Sequence, residues 1–443
     1  MKSQEKFDIE ELIRVLASHI KDIEGEAGPR AVRSDKLGLE LDKERMESLL
    51  DAWQQGKPLI DGPSCRRLLR ATGAVLAEYG AATRNAAESF AECSVIAKGM
   101  GFPADTLCDK VVVELAALGT GGWKKPDLMV ADAHACDNDH QLYAVCIADL
   151  LNMPVFFIDF PLVQDDKPTL ADVNYIADQY GEFIEWAESK VPGLKYDEAM
   201  HIEMLEMDAI AEKYMVEIYQ LIKHVPTPIS PDEALKMDVF RLMPSRYPNM
   251  PKVNEYLRVI RDEMGERVAS GNGPYPEERL RFLWAGRAHG IKNLSPSKLF
   301  LERKVGMPIT GRGHRKPPFS TLKGSLIGDV SRFGVKLSPL QEEAGDNILD
   351  WWGGAGKRWV NRILDLARDI GAHGIIHHQL IGCTPMITMG AIVAERAEKE
   401  LGIPTVNFQG RYLDQDFMSQ ERFDEILSTF IDKSFDQAGK PRH

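Results

Sequence analysis

PDLMVADAHAC (126–136), an apolar helical pattern over 138–151, then NMPVFFIDF (152–160) give strand, helix and strand in quick succession. Two short apolar runs bounded by prolines flank a helix, so they form a βαβ unit whose strands are parallel neighbours joined by a right-handed crossover. The plan returns near the C-terminus as GAHGIIHHQLIGC (371–383), a helix over 385–401, then GIPTVNFQG (402–410). In both copies a cysteine, Cys136 or Cys383, stands just after a strand and just before a helix. That is the carboxyl edge of a parallel sheet, where α/β folds place their ligands. The repeat predicts an α/β protein with two similar Rossmann-like domains, each with a parallel sheet, and two facing edges that bring Cys136 and Cys383 together.

Outward from these units the chain is mostly helical in period. Residues 1–100 read as a helical N-terminal region, 101–165 as the first α/β domain and 166–275 as a helical domain, with runs over 197–224 and 253–268. The turn-rich GNGPYPEE (271–278) leads into a second α/β domain over 276–443 that opens on the strand LRFLWA (280–285). Residues 306–338, rich in Gly, Pro and basic side chains, read as loops.

With 443 residues the chain has room for two or three cores, and 44% hydrophobic and 27% charged residues are ordinary for a globular protein. A formal net charge of −13 without a clustered basic patch argues against a nucleic-acid or anionic-membrane partner. No segment approaches the roughly 20 apolar residues that cross a bilayer. The opening MKSQEKFDIEELIRVLASHI is charged and helical rather than a signal peptide, so a cytoplasmic protein is expected. The chain has no CxxC, HExxH, GxGxxG after a strand or Walker-type phosphate loop, which removes the familiar metal and nucleotide motifs.

Six cysteines, Cys65, Cys93, Cys108, Cys136, Cys146 and Cys383, do not make a disulfide framework in such a chain. At a helix start, unpaired N–H groups and the partial positive charge of the dipole favour a thiolate or a bound anion. Cys136 and Cys383 have that setting, and Cys108 shares it, with Pro103 and Asp105 as start signals upstream. Three dispersed thiolates suit an iron–sulfur cluster better than structural zinc, which takes four ligands in short local pairs. Two accounts stay open from pattern alone: a three-thiolate cluster site, or six small buried hydrophobes. Cys65, Cys93 and Cys146 lie in helical stretches without a partner motif and read as core.

GFPADTLC (101–108), KPDLMVADAHAC (125–136), GNGPYPEERLRFLW (271–284), GCTPMITMG (382–390) and YLDQDFMSQERFDEILSTFID (412–432) occur in one ordered combination. In this the chain resembles the 2-hydroxyacyl-CoA dehydratases and class I, ATP-dependent benzoyl-CoA reductases, and is most similar to the larger reductase subunit. The resemblance implies a 4Fe–4S cluster between the domains, held by Cys108, Cys136 and Cys383. It also implies a heterodimer with a related cluster-binding subunit, electrons from an ATP-hydrolysing 4Fe–4S activator, and low-potential radical reduction of an acyl-CoA thioester. The same ligands would serve a dehydratase subunit that eliminates water or a non-catalytic electron relay, whereas a double-cubane reductase would need all six cysteines as ligands. Two departures fall near the expected site: Gln409, Gly410 and Arg411 stand where many relatives have a Glu-(Gly or Thr)-Asp pattern, and AGRAHGIKN (285–293) lacks the family's Trp.

Candidate proton donors are His134, His140 and His289, with His377 and His378 further along. Arg287 and the basic residues Lys292, Arg303, Lys304, Arg312, Arg315 and Lys316 are candidates for the CoA phosphates. Trp351 and Trp352, beside Gly353-Gly354, are candidates to line an acyl pocket or else to close a core.

Overall fold

A computed structural model of the chain describes residues 8–25, 33–62, 65–77, 90–132, 144–161, 163, 167–236, 243–286, 294–311, 331, 333–349, 357–411, 413–414 and 416–438. The first sheet contains β1 (Leu59–Asp61), β2 (Val75–Leu76), β3 (Leu128–Asp132) and β4 (Val155–Ile158). Its spatial order is β2-β1-β3-β4 and every pairing is parallel. The second contains β5 (Leu280–Gly286), β6 (Val305–Gly306), β8 (Gly374–Leu380) and β9 (Thr405–Gly410) in the order β6-β5-β8-β9, again all parallel. A further short strand, β7 (Thr310–Gly311), pairs with the later part of β5.

Counted within each copy, both sheets have the order 2-1-3-4. The duplication seen in the sequence as strand, helix, strand therefore extends to four strands. Residues 59–76, expected within an all-helical N-terminal region, supply β1 and β2. These strands are three and two residues long, too short for hydrophobic alternation to register.

Central strands carry the apolar runs. Every residue of β3 and β5 is buried, whereas the edge strands β4 and β9 alternate between covered and exposed positions. Helices fill the connections: α1 (Ile9–Gly25) and α2 (Arg33–Gln54) precede β1, and α3 (Arg66–Ala71) joins β1 to β2. Two more, α4 (Phe90–Gly99) and α5 (Asp109–Gly119), lie between β2 and β3, and α6 (Ala144–Leu150) joins β3 to β4. The middle region comprises α7 (Leu170–Lys190), α8 (Glu198–Ile222), α9 (Pro231–Lys236) and α10 (Met250–Ser270). The first of these begins at a capping box, in which the Asp172 N–H donates to Thr169 Oγ1 and the Thr169 N–H to Asp172. In the second half α11 (Ser297–Arg303), α12 (Pro339–Leu349), α13 (Lys357–Asp369), α14 (Thr384–Leu401) and α15 (Gln420–Ala438) complete the chain. One contiguous apolar cluster runs from Met129 and Ala131 in β3 through α5 to Leu283 in β5 and Ile376 in β8, so the two sheets share a core.

A charge sits inside that core. Arg281, in β5, is buried and donates to both oxygens of Glu278, at 2.5 and 2.9 Å, and to the Lys223 carbonyl at 3.0 Å beyond the end of α8. It also donates to the carbonyls of His224 and Ile370. The guanidinium thus satisfies carbonyls left open at helix ends while joining the middle helices to the second sheet. Arg281→Met leaves the buried Glu278 carboxylate without its cation and is expected to cost about 3–5 kcal/mol in urea denaturation. Adding Glu278→Gln should recover part of that loss.

Candidate functional site

Of the candidate ligands, Cys108 and Cys383 fall within the described residues. Cys136 lies beyond the end of β3 and outside them, as do His134, His140, Arg287, His289, Lys292, Arg312, Arg315, Lys316, Trp351 and Trp352. Cys108 is the N-cap of α5 and Cys383 the N-cap of α14. Both are buried, at 7% and 8% exposure, and neither is in a disulfide. Neither side chain caps its own helix.

Each position has a local cause. In α5 a run of three valines, Val111 to Val113, is tolerated because nearly every residue from Asp109 to Ala117 is buried; a helix covered on all sides belongs between layers. The preceding turn closes through Thr106 N–H and Leu107 N–H to the Pro103 carbonyl, and Val112 N–H returns to the Cys108 carbonyl at 3.1 Å. On the other side β8 ends, Gly382 takes φ +80°, and the Cys383 N–H donates to the Leu380 carbonyl at 3.0 Å. The positive φ is one that glycine adopts freely.

Gly382 also shows where the two turns meet. A Cβ on it would lie 2.3 Å from the Leu107 carbonyl oxygen and 2.6 Å from the Cys108 nitrogen. The backbone before Cys383 therefore lies against the backbone before Cys108. With standard bond lengths the two cysteine Cα atoms are less than about 10 Å apart. Two helix N-termini, each headed by a buried thiol, converge at the carboxyl edge of the second sheet, a setting that favours bound negative charge and suits a soft, thiolate-bound metal centre.

Two charged residues that the sequence reading did not assign to the site hold it together. Arg411, one residue past β9, donates from Nε to Asp109 Oδ1 at 3.0 Å, and its Nη2 lies 2.7 Å from the same oxygen. It donates also to the carbonyls of Asp105 at 3.0 Å and Ala104 at 3.1 Å, and stands 5.2 Å over the Phe90 ring. The other Asp109 oxygen accepts from the Leu413 N–H at 2.7 Å. Asp109 adjoins Cys108 in sequence and Arg411 stood out as a departure from the family's pattern, but nothing in the sequence joined the two.

The structure also places several other residues singled out in the sequence. His377 and His378, offered as proton donors, are fully buried in β8. The His378 ring stacks on Phe408 at 4.8 Å, and His377 meets Trp359 edge-on at 5.8 Å. Gly390 in α14 makes room for His377: a Cβ there would sit 2.8 Å from His377 Nδ1 and 2.9 Å from Asn407 Oδ1. Arg303 pairs with Asp432 and Lys304 with Glu277. Both precede β6 and so lie at the amino edge of the sheet, opposite Cys383, away from any CoA bound at the carboxyl edge. Cys65, expected in a plain helical stretch, is the N-cap of α3 just after β1 with φ +45°, buried at 1% exposure in the core beneath α7. Cys93 is wholly buried in α4. Among the described residues no group of three metal-ligating side chains occurs, and no helix is long and apolar enough to cross a membrane.

Residues 64–309 and 355–433 match the family model described as 2-hydroxyglutaryl-CoA dehydratase, D-component, and these spans include both converging turns. The chain belongs to this family. Among curated relatives, the alpha subunit of (R)-phenyllactyl-CoA dehydratase from Clostridium sporogenes is 23% identical over 342 residues, covering 74% of this chain and 76% of the relative. The alpha subunit of (R)-2-hydroxyisocaproyl-CoA dehydratase from Clostridioides difficile is 21% identical over 359 residues, covering 77% and 80%. The alpha subunit of (R)-2-hydroxyglutaryl-CoA dehydratase from Acidaminococcus fermentans is 24% identical over 293 residues, covering 65% and 56%. All three are dehydratase subunits. These matches support the dehydratase side of the resemblance and not its nearest-reductase part.

Two measurements check the geometry. Gly382→Ala adds backbone collision to a left-handed φ and should destabilise the protein by at least about 2 kcal/mol, against about 1 kcal/mol for Gly402→Ala. Gly402 has a comparable φ of +65° but open space around it, which makes it the control in the same urea titration. Burial, then the neighbouring His378, hold the His377 imidazole down at about 4 from an ordinary 6.5. The unfolded chain then binds this proton more readily than the folded one. Stability from His377 is complete above pH 6.5 and falls as pH drops towards 4, by about 3 kcal/mol in all. His377→Gln should flatten that part of the stability–pH curve.

Proposed function

We propose that this chain is an alpha-type subunit of a 2-hydroxyacyl-CoA dehydratase, with Cys108, Cys136 and Cys383 holding a 4Fe–4S cluster. The observation that carries the reading is the backbone contact between the Gly382–Cys383 and Leu107–Cys108 turns, in a chain of this dehydratase family. The donor set fits: two buried thiols at helix N-termini, with the third cysteine following the equivalent strand of the duplicated fold. Such a cluster, when bound, supplies a one-electron centre and a Lewis-acidic iron for an acyl-CoA thioester.

The chain's own residues set the conditions for that chemistry. The N-termini of α5 and α14 favour negative charge at Cys108 and Cys383, and burial of the two cysteines keeps bulk water away from them. Dehydration of a 2-hydroxyacyl-CoA is redox-neutral overall: C2–O and C3–H break, C2=C3 forms and water leaves. An electron supplied at the start is therefore returned, and an ATP-hydrolysing activator is needed only for priming. A related cluster-binding subunit completes the proposed enzyme. A benzoyl-CoA-type reductase, whose net reaction consumes electrons, is the second reading; the ordered motif set from GFPADTLC to GCTPMITMG supports it alongside the first.

Anaerobic purification with iron and sulfide analysis tests the site, about four of each per chain being expected; iron-free protein would overturn the reading. Assays with the partner and activator then separate the functions. Turnover of an (R)-2-hydroxyacyl-CoA on a trace of ATP supports the dehydratase. ATP and reductant use in step with benzoyl-CoA loss supports the reductase instead.

A further inference from the structure

We infer that Arg411 is a positioning residue that holds Cys108 beside Cys383 and balances the charge next to the metal site. The inference rests on the cluster reading above.

Arg411 commits its guanidinium to one short stretch of chain. It meets Asp109, the first residue of α5, and the carbonyls of Ala104, Asp105 and Leu107, which form the turn leading into Cys108. Arg411 is 8% exposed and Asp109 fully buried. Gly410, immediately before Arg411, pairs with Leu380 across the sheet and accepts from the Ile381 N–H at 2.9 Å. Ile381 leads through Gly382 to Cys383, and Gly382 lies against the Leu107 carbonyl and the Cys108 nitrogen. The contacts form a closed circuit: Cys108, Asp109, Arg411, Gly410, Ile381, Gly382, Cys383 and back to the Leu107–Cys108 peptide. The Arg411–Asp109 pair is the side-chain link of this circuit, beside the hydrogen bond from the Leu413 N–H to Asp109, so a substitution at Arg411 loosens the circuit without altering the backbone.

The same pair sets a local charge. Asp109 places a carboxylate one residue from a thiolate ligand, where a bare negative charge would oppose both the thiolate and any electron added to the cluster. Arg411 cancels it at 2.7 Å. A lysine in its place would keep the charge but lose the planar fork that reaches carboxylate and carbonyls together.

The test uses the full chain, loaded anaerobically, with Arg411→Gln, Arg411→Lys, Asp109→Asn and the double variant Asp109→Asn/Arg411→Gln. Iron release to a chelator and the midpoint potential from an EPR-monitored titration are read, with circular dichroism as a check on folding. Arg411→Gln should release iron about 10- to 100-fold faster, as when an outer partner of a metal ligand is lost, and its potential should fall. Asp109→Asn should raise the potential, and the double variant should return it towards wild type while iron still leaves quickly. Arg411→Lys should keep a near-wild-type potential with faster release, and it carries the test if Arg411→Gln does not fold. Unchanged release and potential in Arg411→Gln, or in Arg411→Lys unchanged release, would overturn the inference while the loaded wild type keeps the cluster reading intact. Wild type that takes up no iron overturns the cluster reading itself.

Discussion

The contact that organises this molecule is one in which no side chain takes part. Gly382 presses its backbone against the Leu107–Cys108 peptide at a distance that excludes a Cβ, and two parallel-sheet halves, separated by the whole middle of the chain, must dock closely enough for it. The shared apolar core through α5 supplies the driving force, and the buried Arg281–Glu278 pair ties the middle helices to the second sheet. The spacing of the two thiols follows from that docking rather than from any local motif, which is why neither cysteine belongs to a short ligand pair.

The fold was readable where hydrophobic runs were long enough to carry a period. DLMVAD and GIIHHQL, each followed by a helix and a second strand, disclosed the duplication directly. The remaining half of each sheet was harder. The strand LID (59–61) and the two-residue β2 and β6 contribute pairing, not pattern, and in sequence they look like interruptions between helices. Strand order 2-1-3-4 in both halves became visible only in three dimensions.

The site was partly readable for a different reason. A cysteine at a helix start is a local feature, so that setting could be read from sequence for Cys108 and Cys383, and both are helix N-caps. Pairing of charges across the chain is not local: Arg411 and Asp109 are 302 residues apart in sequence. In the sequence, Arg411 registered only as a departure from an expected acidic residue. His377 and His378 look chemically active in a list of side chains, while in the fold the strand that bears them is enclosed by Trp359, Phe408 and the close approach of α14 at Gly390. Burial there favours a neutral, packing role.

The order in which the circuit is synthesised has a consequence for how the protein matures. A ribosome delivers Asp109 302 residues before Arg411, so the turn carrying Cys108 lacks its clasp until that later segment has emerged. Long-range closure of this kind is slow relative to helix formation, since loop entropy is lost before the contact rewards it. During that interval the nascent chain holds its thiols without the partner edge that encloses them. Until that closure the thiols are most open to oxidation.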